Sequence, residues 1–207
     1  MIVGYGMQRW WFENGQIRQE NNYFNWKLDG VERAWYENGQ LKWIEKYNNG
    51  ERDGFEQAWY DSGKIMYEGL YNDGKKIGTH STWYEDGKPK YEENYIDGRK
   101  YGLQQTWYED GKPKYEENYV DGRKHGLQQT WFKSGQLKQE ENYVNGVKDG
   151  LQQLWFENGK LSLREYYVDD KKDGLQQLWF ENGKPKYKAN YDMGILENII
   201  IDKYTSD

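Results

Sequence analysis

Trp107-Tyr108-Glu109-Asp110-Gly111-Lys112-Pro113-Lys114-Tyr115-Glu116-Glu117-Asn118-Tyr119-Val120-Asp121-Gly122-Arg123-Lys124-His125-Gly126 decides the reading of the whole chain. The copy that begins at Trp83 repeats it, and over residues 83–106 and 107–130 the two differ only at Ile96/Val120 and Tyr101/His125. The same tryptophan recurs at Trp11, Trp35, Trp59, Trp83, Trp107, Trp131, Trp155 and Trp179, always 24 residues apart. A fixed period of this size marks a repeat architecture, in which each unit buries its apolar surface against its neighbours. The expected array spans residues 1–194, with copies at 6–29, 30–53, 54–77, 78–101, 102–125, 126–149, 150–173 and 174–194. A further segment, 195–207, follows it.

Composition sets the limits. A mean hydropathy of −1.27 and an apolar share of 35% would by themselves suggest disorder. Eleven Trp, twenty Tyr and six Phe at repeating positions argue the other way, because large rings bury much area per residue. The expected core is thin and aromatic. A net charge of −6 argues against an electrostatic grip on nucleic acid or a general pull toward anionic lipid. The chain has no cysteine, hence no disulfide and no thiolate metal site. Neither a signal peptide nor a long apolar span is legible, so the expected location is the cytoplasm.

Two turn signals punctuate each copy. One follows the aromatic pair, as at Asn38-Gly39, Asp86-Gly87 and Asp110-Gly111. The other ends the returning segment, as at Asp97-Gly98 and Asp121-Gly122, and leads through a basic linker to a further glycine such as Gly126. Turns this frequent leave no room for helices. The expected fold is all-β: a single-layer, twisted antiparallel meander of 24-residue hairpins, elongated in outline. If Asp110-Gly111 forms a two-residue type I′ turn, Trp107 faces Lys114 and Thr106 faces Tyr115. Tyr108, Thr106, Pro113 and Tyr115 then share the more apolar face, and Trp107, Leu103, Gln105, Lys114 and Glu116 the other.

Several rows carry candidate function. The tryptophans Trp35, Trp59, Trp83, Trp107, Trp131, Trp155 and Trp179 are candidate partner contacts, since Trp, Tyr and Arg dominate protein interfaces. Lysines such as Lys42, Lys90, Lys114 and Lys186 are placed to stack on those indoles. Glu92, Glu116 and Glu140 fall on the same face and read as a charge-compensated stripe within the contact surface. Ile195, Leu196, Ile199, Ile200 and Ile201 form the most aliphatic run, read as a cap or as a contact between copies. His80 and His125 read as surface loop histidines. Rows of like residues offer no convergent pocket, so the sequence implies no catalytic residue, no cofactor and no metal ligand set.

The unit Trp-Tyr-Glu-Asn-Gly-Lys-Leu-Lys, followed by Tyr, Asp-Gly-Lys-Lys and a linker glycine, resembles the MORN-repeat family, specifically the bacterial variant often named for YwqK-type antitoxins. Unlike the standard unit, this chain uses Trp-Tyr or Trp-Phe before the first turn and lacks most Tyr-x-Gly pairs. The resemblance implies a grooved β-sheet used for protein contact or scaffolding, and the antitoxin label implies a toxin as partner. Beside it stand two alternatives: a self-assembling scaffold joined through the 195–201 segment, and a membrane-surface module using the basic linkers Lys75-Lys76, Arg99-Lys100, Arg123-Lys124 and Lys171-Lys172.

Overall fold

The computed structural model describes residues 4–202. Among them there is no helix; they form a single open antiparallel sheet of 20 strands in meander order. The chain divides into two compact units. One ends at Lys100 and takes in Glu109–Gly111; the other begins at Tyr101.

One copy in the second unit shows how the residues make the strands. The outgoing strand Arg123–Trp131 pairs with the return strand Leu137–Val144, which pairs in turn with the next outgoing strand, Val147–Trp155. The basic linkers lie in strands: Lys75-Lys76 and Arg123-Lys124 open outgoing strands, and Arg99–Lys100 and Lys171–Lys172 are two-residue strands of their own. The two turns differ in kind, and the assignment of the type I′ turn is corrected. Asp121 and Gly122 have φ of 51° and 76°, with Val120 opposite Arg123, which is the two-residue I′ geometry. At the other turn only Gly111 is left-handed, at φ 90°, and Tyr108 N–H donates to Lys112 C=O at 2.8 Å. That loop is one residue longer, as in a type I turn closed by a glycine bulge. Trp107 therefore lies opposite Pro113, not Lys114, and the register regains the expected Thr106–Tyr115 pairing after a shift. Proline fits there as the first residue of its strand.

A second irregularity sits at the linker glycine. Gly126, at φ 78°, lies where the ladder jumps from Glu117–Gln128 to Tyr119–Lys124. Glycine takes this conformation without a side-chain penalty. At three such places the strand is interrupted outright, between Leu28 and Gly30, Lys100 and Gly102, and Lys172 and Gly174.

The expected aromatic core is corrected too. Among the described residues the only buried apolar side chains are Ala34, Tyr71 and Ala189. The most buried row, at the repeat period, is polar: Glu32 and His80 in the first unit; Gln104, Gln128, Gln152 and Gln176 in the second. The segment from Ile195 is a strand, Ile195–Asp202, paired with Pro185–Asp192. Residues 1–3 of the expected array and 203–207 of the terminal segment lie outside the described residues.

Candidate functional site

The polar row has a structural cause. The ladder jump at Gly126 leaves the Asn118 backbone without a strand partner on that side. Gln128 replaces it: its Oε1 accepts from Asn118 N–H at 3.1 Å, and its Nε2 donates to Asn118 C=O at 3.0 Å and Gly126 C=O at 3.2 Å. Gln176 does the same for Tyr166. A buried amide so placed satisfies backbone groups that would otherwise cost free energy.

Beside the glutamines runs a repeating triad. Lys148 Nζ lies 2.9 Å from Glu141 and 5.5 Å from the ring centre of Tyr167. Lys124 is held the same way by Glu117 and Tyr143, and Lys172 by Glu165 and Tyr191. Two of these tyrosine hydroxyls donate to the glutamate two residues before them, Tyr143 to Glu141 at 3.2 Å and Tyr167 to Glu165 at 3.0 Å, whereas Tyr191 has Ala189 at that place. Burial first, then the Glu141 carboxylate, pushes the Tyr143 hydroxyl up to about 12. The lysine is thus shared between the carboxylate of one copy and the ring of the next, which joins copies as well as strands.

The first unit departs from this pattern twice. His80 takes the glutamine position, only 2% exposed, so its reading as a surface loop residue is corrected. Its Nε2 lies 2.9 Å from Leu70 C=O and its Nδ1 2.5 Å from the Tyr67 hydroxyl. Those partners fix the neutral tautomer, with Nε2–H donating and Nδ1 accepting. Gly69 takes the glutamate position, and a Cβ there would sit 2.2 Å from His80 Nδ1. His125, by contrast, is half-buried, with Asn145 N–H donating to its Nδ1 at 3.4 Å. The second departure is an acidic run. Glu32 faces Glu45, which faces Glu56, and Arg52 reaches Glu45 at 3.3 Å and Glu56 at 3.8 Å. Glu32 is 3% exposed, and its Oε1 has no hydrogen-bond partner. Burial and then the Glu45 carboxylate push its carboxyl up to about 7.

The opposite face carries the predicted contact residues. Strand alternation sets Trp107, Gln105 and Leu103 on one side, with Glu116 opposite Gln105. Gln105 donates to Glu116 at 3.0 Å and Gln129 to Glu140 at 2.7 Å, whereas Glu92 is exposed opposite Ser81. Trp35, Trp59 and Trp83 of the first unit and Trp107, Trp131, Trp155 and Trp179 of the second are all half-buried. Within a unit, like residues of successive copies stand two strands apart, roughly 9.5 Å, too far for indoles to stack on one another. The expected lysine stacking is also corrected. Lys42, Lys90, Lys114 and Lys186 lie over Tyr36, Tyr84, Tyr108 and Phe180, the residues after the tryptophans. Lys114 leaves Trp107 because it is the residue skipped by the register shift. Tyr36 and Tyr108 each donate to the carbonyl of the next copy's tryptophan, Trp59 and Trp131, at 2.8 Å. Exposed apolar residues flank the tryptophans: Met7 and Phe55 in the first unit; Leu103, Leu127 and Leu175 in the second. On the last strand Ile195, Leu196, Ile199 and Ile200 are exposed and Ile201 is half-buried.

Sequence reasoning missed the Tyr–Glu–Lys triads and the glutamine row, although a signal was present. Tyrosine stands at the same repeat position in all eight copies, from Tyr23 to Tyr191, and glutamine at another in five, from Gln8 to Gln176. Among the described residues no cluster of His, Asp or Glu could hold a metal ion, and no helix is long and apolar enough to cross a membrane.

Hairpins of one period, stitched copy to copy by shared lysines and tyrosines, define a single-sheet repeat protein. A family model described as the MORN repeat variant matches residues 5–25, 28–49, 52–73, 76–97, 100–121, 124–145, 148–169 and 172–193. The chain belongs to the MORN repeat variant family. No curated protein matches it.

Proposed function

We propose that this chain is a non-catalytic protein-binding repeat protein that holds a partner on its tryptophan-bearing face. One observation carries the reading: exposed apolar residues recur at the repeat period beside half-buried tryptophans on that face. On the other face the triad carboxylates and lysines, and Gln128 with them, are committed to internal bonds. Ordered apolar rows with a polar surround are what partner surfaces present. The finer form of the proposal is an antitoxin or immunity factor that occupies a toxin in the cytoplasm, supported by the family resemblance alone. Capture by the intact chain from its native lysate tests it. A partner retained by wild type and lost with L103E/L127E supports the reading; equal retention by both, or no specific partner, overturns it.

The exposed Ile195, Leu196, Ile199 and Ile200 favour a second reading, self-association through the last strand. Light scattering decides it: a concentration-dependent dimer abolished by I199K/I200K supports it, and a monomer at high concentration removes it.

A further inference from the structure

Each return strand of the second unit sets one charged residue of the tryptophan-bearing face opposite a glutamine: Glu116 opposite Gln105, Glu140 opposite Gln129, Arg164 opposite Gln153 and Lys188 opposite Gln177. On their other side Glu116 meets Gln129, Glu140 meets Gln153 and Arg164 meets Gln177. These residues therefore form one level row across the strands, with carboxylates in its first half and cations in its second. Counted outward from Gln153, the row is its own opposite. Glu140 and Arg164 stand one strand away on either side, Gln129 and Gln177 two, and Glu116 and Lys188 three.

Among the described residues none of these four charged side chains has an ion-pair partner, although Gln105 and Gln129 donate to the two carboxylates. Arg164 is exposed. So are Leu127 and Leu175, which stand two strands to either side of Leu151 on the same face. An apolar row is thus symmetric about the strand Val147–Trp155, and the charge row beside it is antisymmetric about the same strand. A self-complementary, isologous contact needs both properties.

We infer that a second copy of this chain covers this face, second unit on second unit, about a two-fold axis that runs along the Val147–Trp155 strand. That axis keeps the level of each residue along its strand and reverses the order of the copies. Glu140 then meets Arg164 of the second copy, Glu116 meets its Lys188, and Leu127 meets its Leu175. A two-fold axis across the strands would instead set Glu140 on Glu140 and Arg164 on Arg164, which charge excludes. Facing sheets pack about 10 Å apart with their strands nearly aligned, a gap that a glutamate and an arginine span between them. Like charges also draw nearer at the linker end of the face, Arg123 with Lys171 and Asp149 with itself, where salt screens them. The inference rests on the tryptophan-face reading and names the partner held there.

The test is sedimentation velocity on the intact chain over a range of concentrations. Wild type is expected to form a dimer. E140R and R164E each set like charges against one another at two places across the axis, and each should weaken dimerisation by about tenfold or more. Both introduce a residue that the row already carries, and an unchanged circular dichroism spectrum reports an intact sheet. An equal mixture of E140R and R164E should form a heterodimer, and E140R/R164E a homodimer, because each restores opposite charges at both places. Wild type that stays monomeric at high concentration, a dimer that R164E leaves unchanged, or single variants that fail to pair on mixing would overturn the inference. A dimer lost in I199K/I200K and kept in R164E also overturns it and assigns the contact to the last strand. If the chain is monomeric yet a captured partner is lost with L103E/L127E, the second-copy assignment fails and the broader reading stands.

Discussion

Gln128 is hydrogen-bonded through both ends of its amide to the backbone of Asn118, the residue at which the ladder skips. Replacing it with Ala leaves a buried N–H and C=O unpaired. Q128A is expected to cost about 2–3 kcal/mol, several times the cost of Q129A on the more exposed face. Urea midpoints of the two variants check this, and equal losses would contradict it.

Gly69 and His80 should behave as a matched pair. G69A drives a methyl group against His80 Nδ1 and the Tyr67 hydroxyl, and is expected to destabilise. Other copies combine Glu at the first position with Gln at the second, as in Glu117–Gln128. The double variant G69E/H80Q should therefore be more stable than either single variant, with a coupling of about 1–3 kcal/mol in a double-mutant cycle. Additive losses would argue against the pairing.

Glu32 and His80 oppose one another in pH dependence. The folded Glu32 keeps its proton up to about 7, whereas an unfolded carboxyl releases it near 4.5. The folded state binds the extra proton in between, so stability from this residue falls as pH rises through that window. E32Q should keep the buried contacts without the titration. Its stability advantage over wild type is expected to grow from about pH 5 to about pH 8.

His80 has its pKa lowered, by burial and then by Lys76, with the Leu70 carbonyl and Glu93 acting the other way. The unfolded chain takes up a proton near 6.5 that the folded chain refuses, so this contribution is lost as pH falls below that value. H80Q/G69E should remove the acid-side loss of thermal midpoint, and an unchanged acid limb would rule it out.

Lys148 bridges Glu141 to Tyr167 in a half-buried setting, whereas Lys75 meets Asp97 in the open. K148M strands a carboxylate whose side chain is only 16% exposed and is expected to cost about 2 kcal/mol. K75M should leave the unfolding midpoint almost unchanged. High salt should narrow the Lys75 effect and leave most of the Lys148 effect.

Legibility ended where the backbone left regular geometry. The copies, the absence of helices and the Thr106–Tyr115 pairing follow from a period of alternating strands and turn dipeptides. Trp107–Pro113 and the shift of Lys114 from indole to Tyr108 follow from a bulge one residue wide, and the burial of Gln128 from one two residues wide. A bulge leaves composition untouched and moves every side chain beyond it, so pattern reading slips by one place. The tryptophan row was named as a contact surface from residue type alone.

By itself the amino-acid order determined the repeat, its hairpins and the columns of like residues, because these depend on local turn chemistry and a two-residue alternation. Tertiary structure alone decided which column is buried. Where that choice fell on glutamine and histidine rather than on the large rings, the linker bulge leaves backbone groups without strand partners, and Gln128 and His80 bond them from the gap.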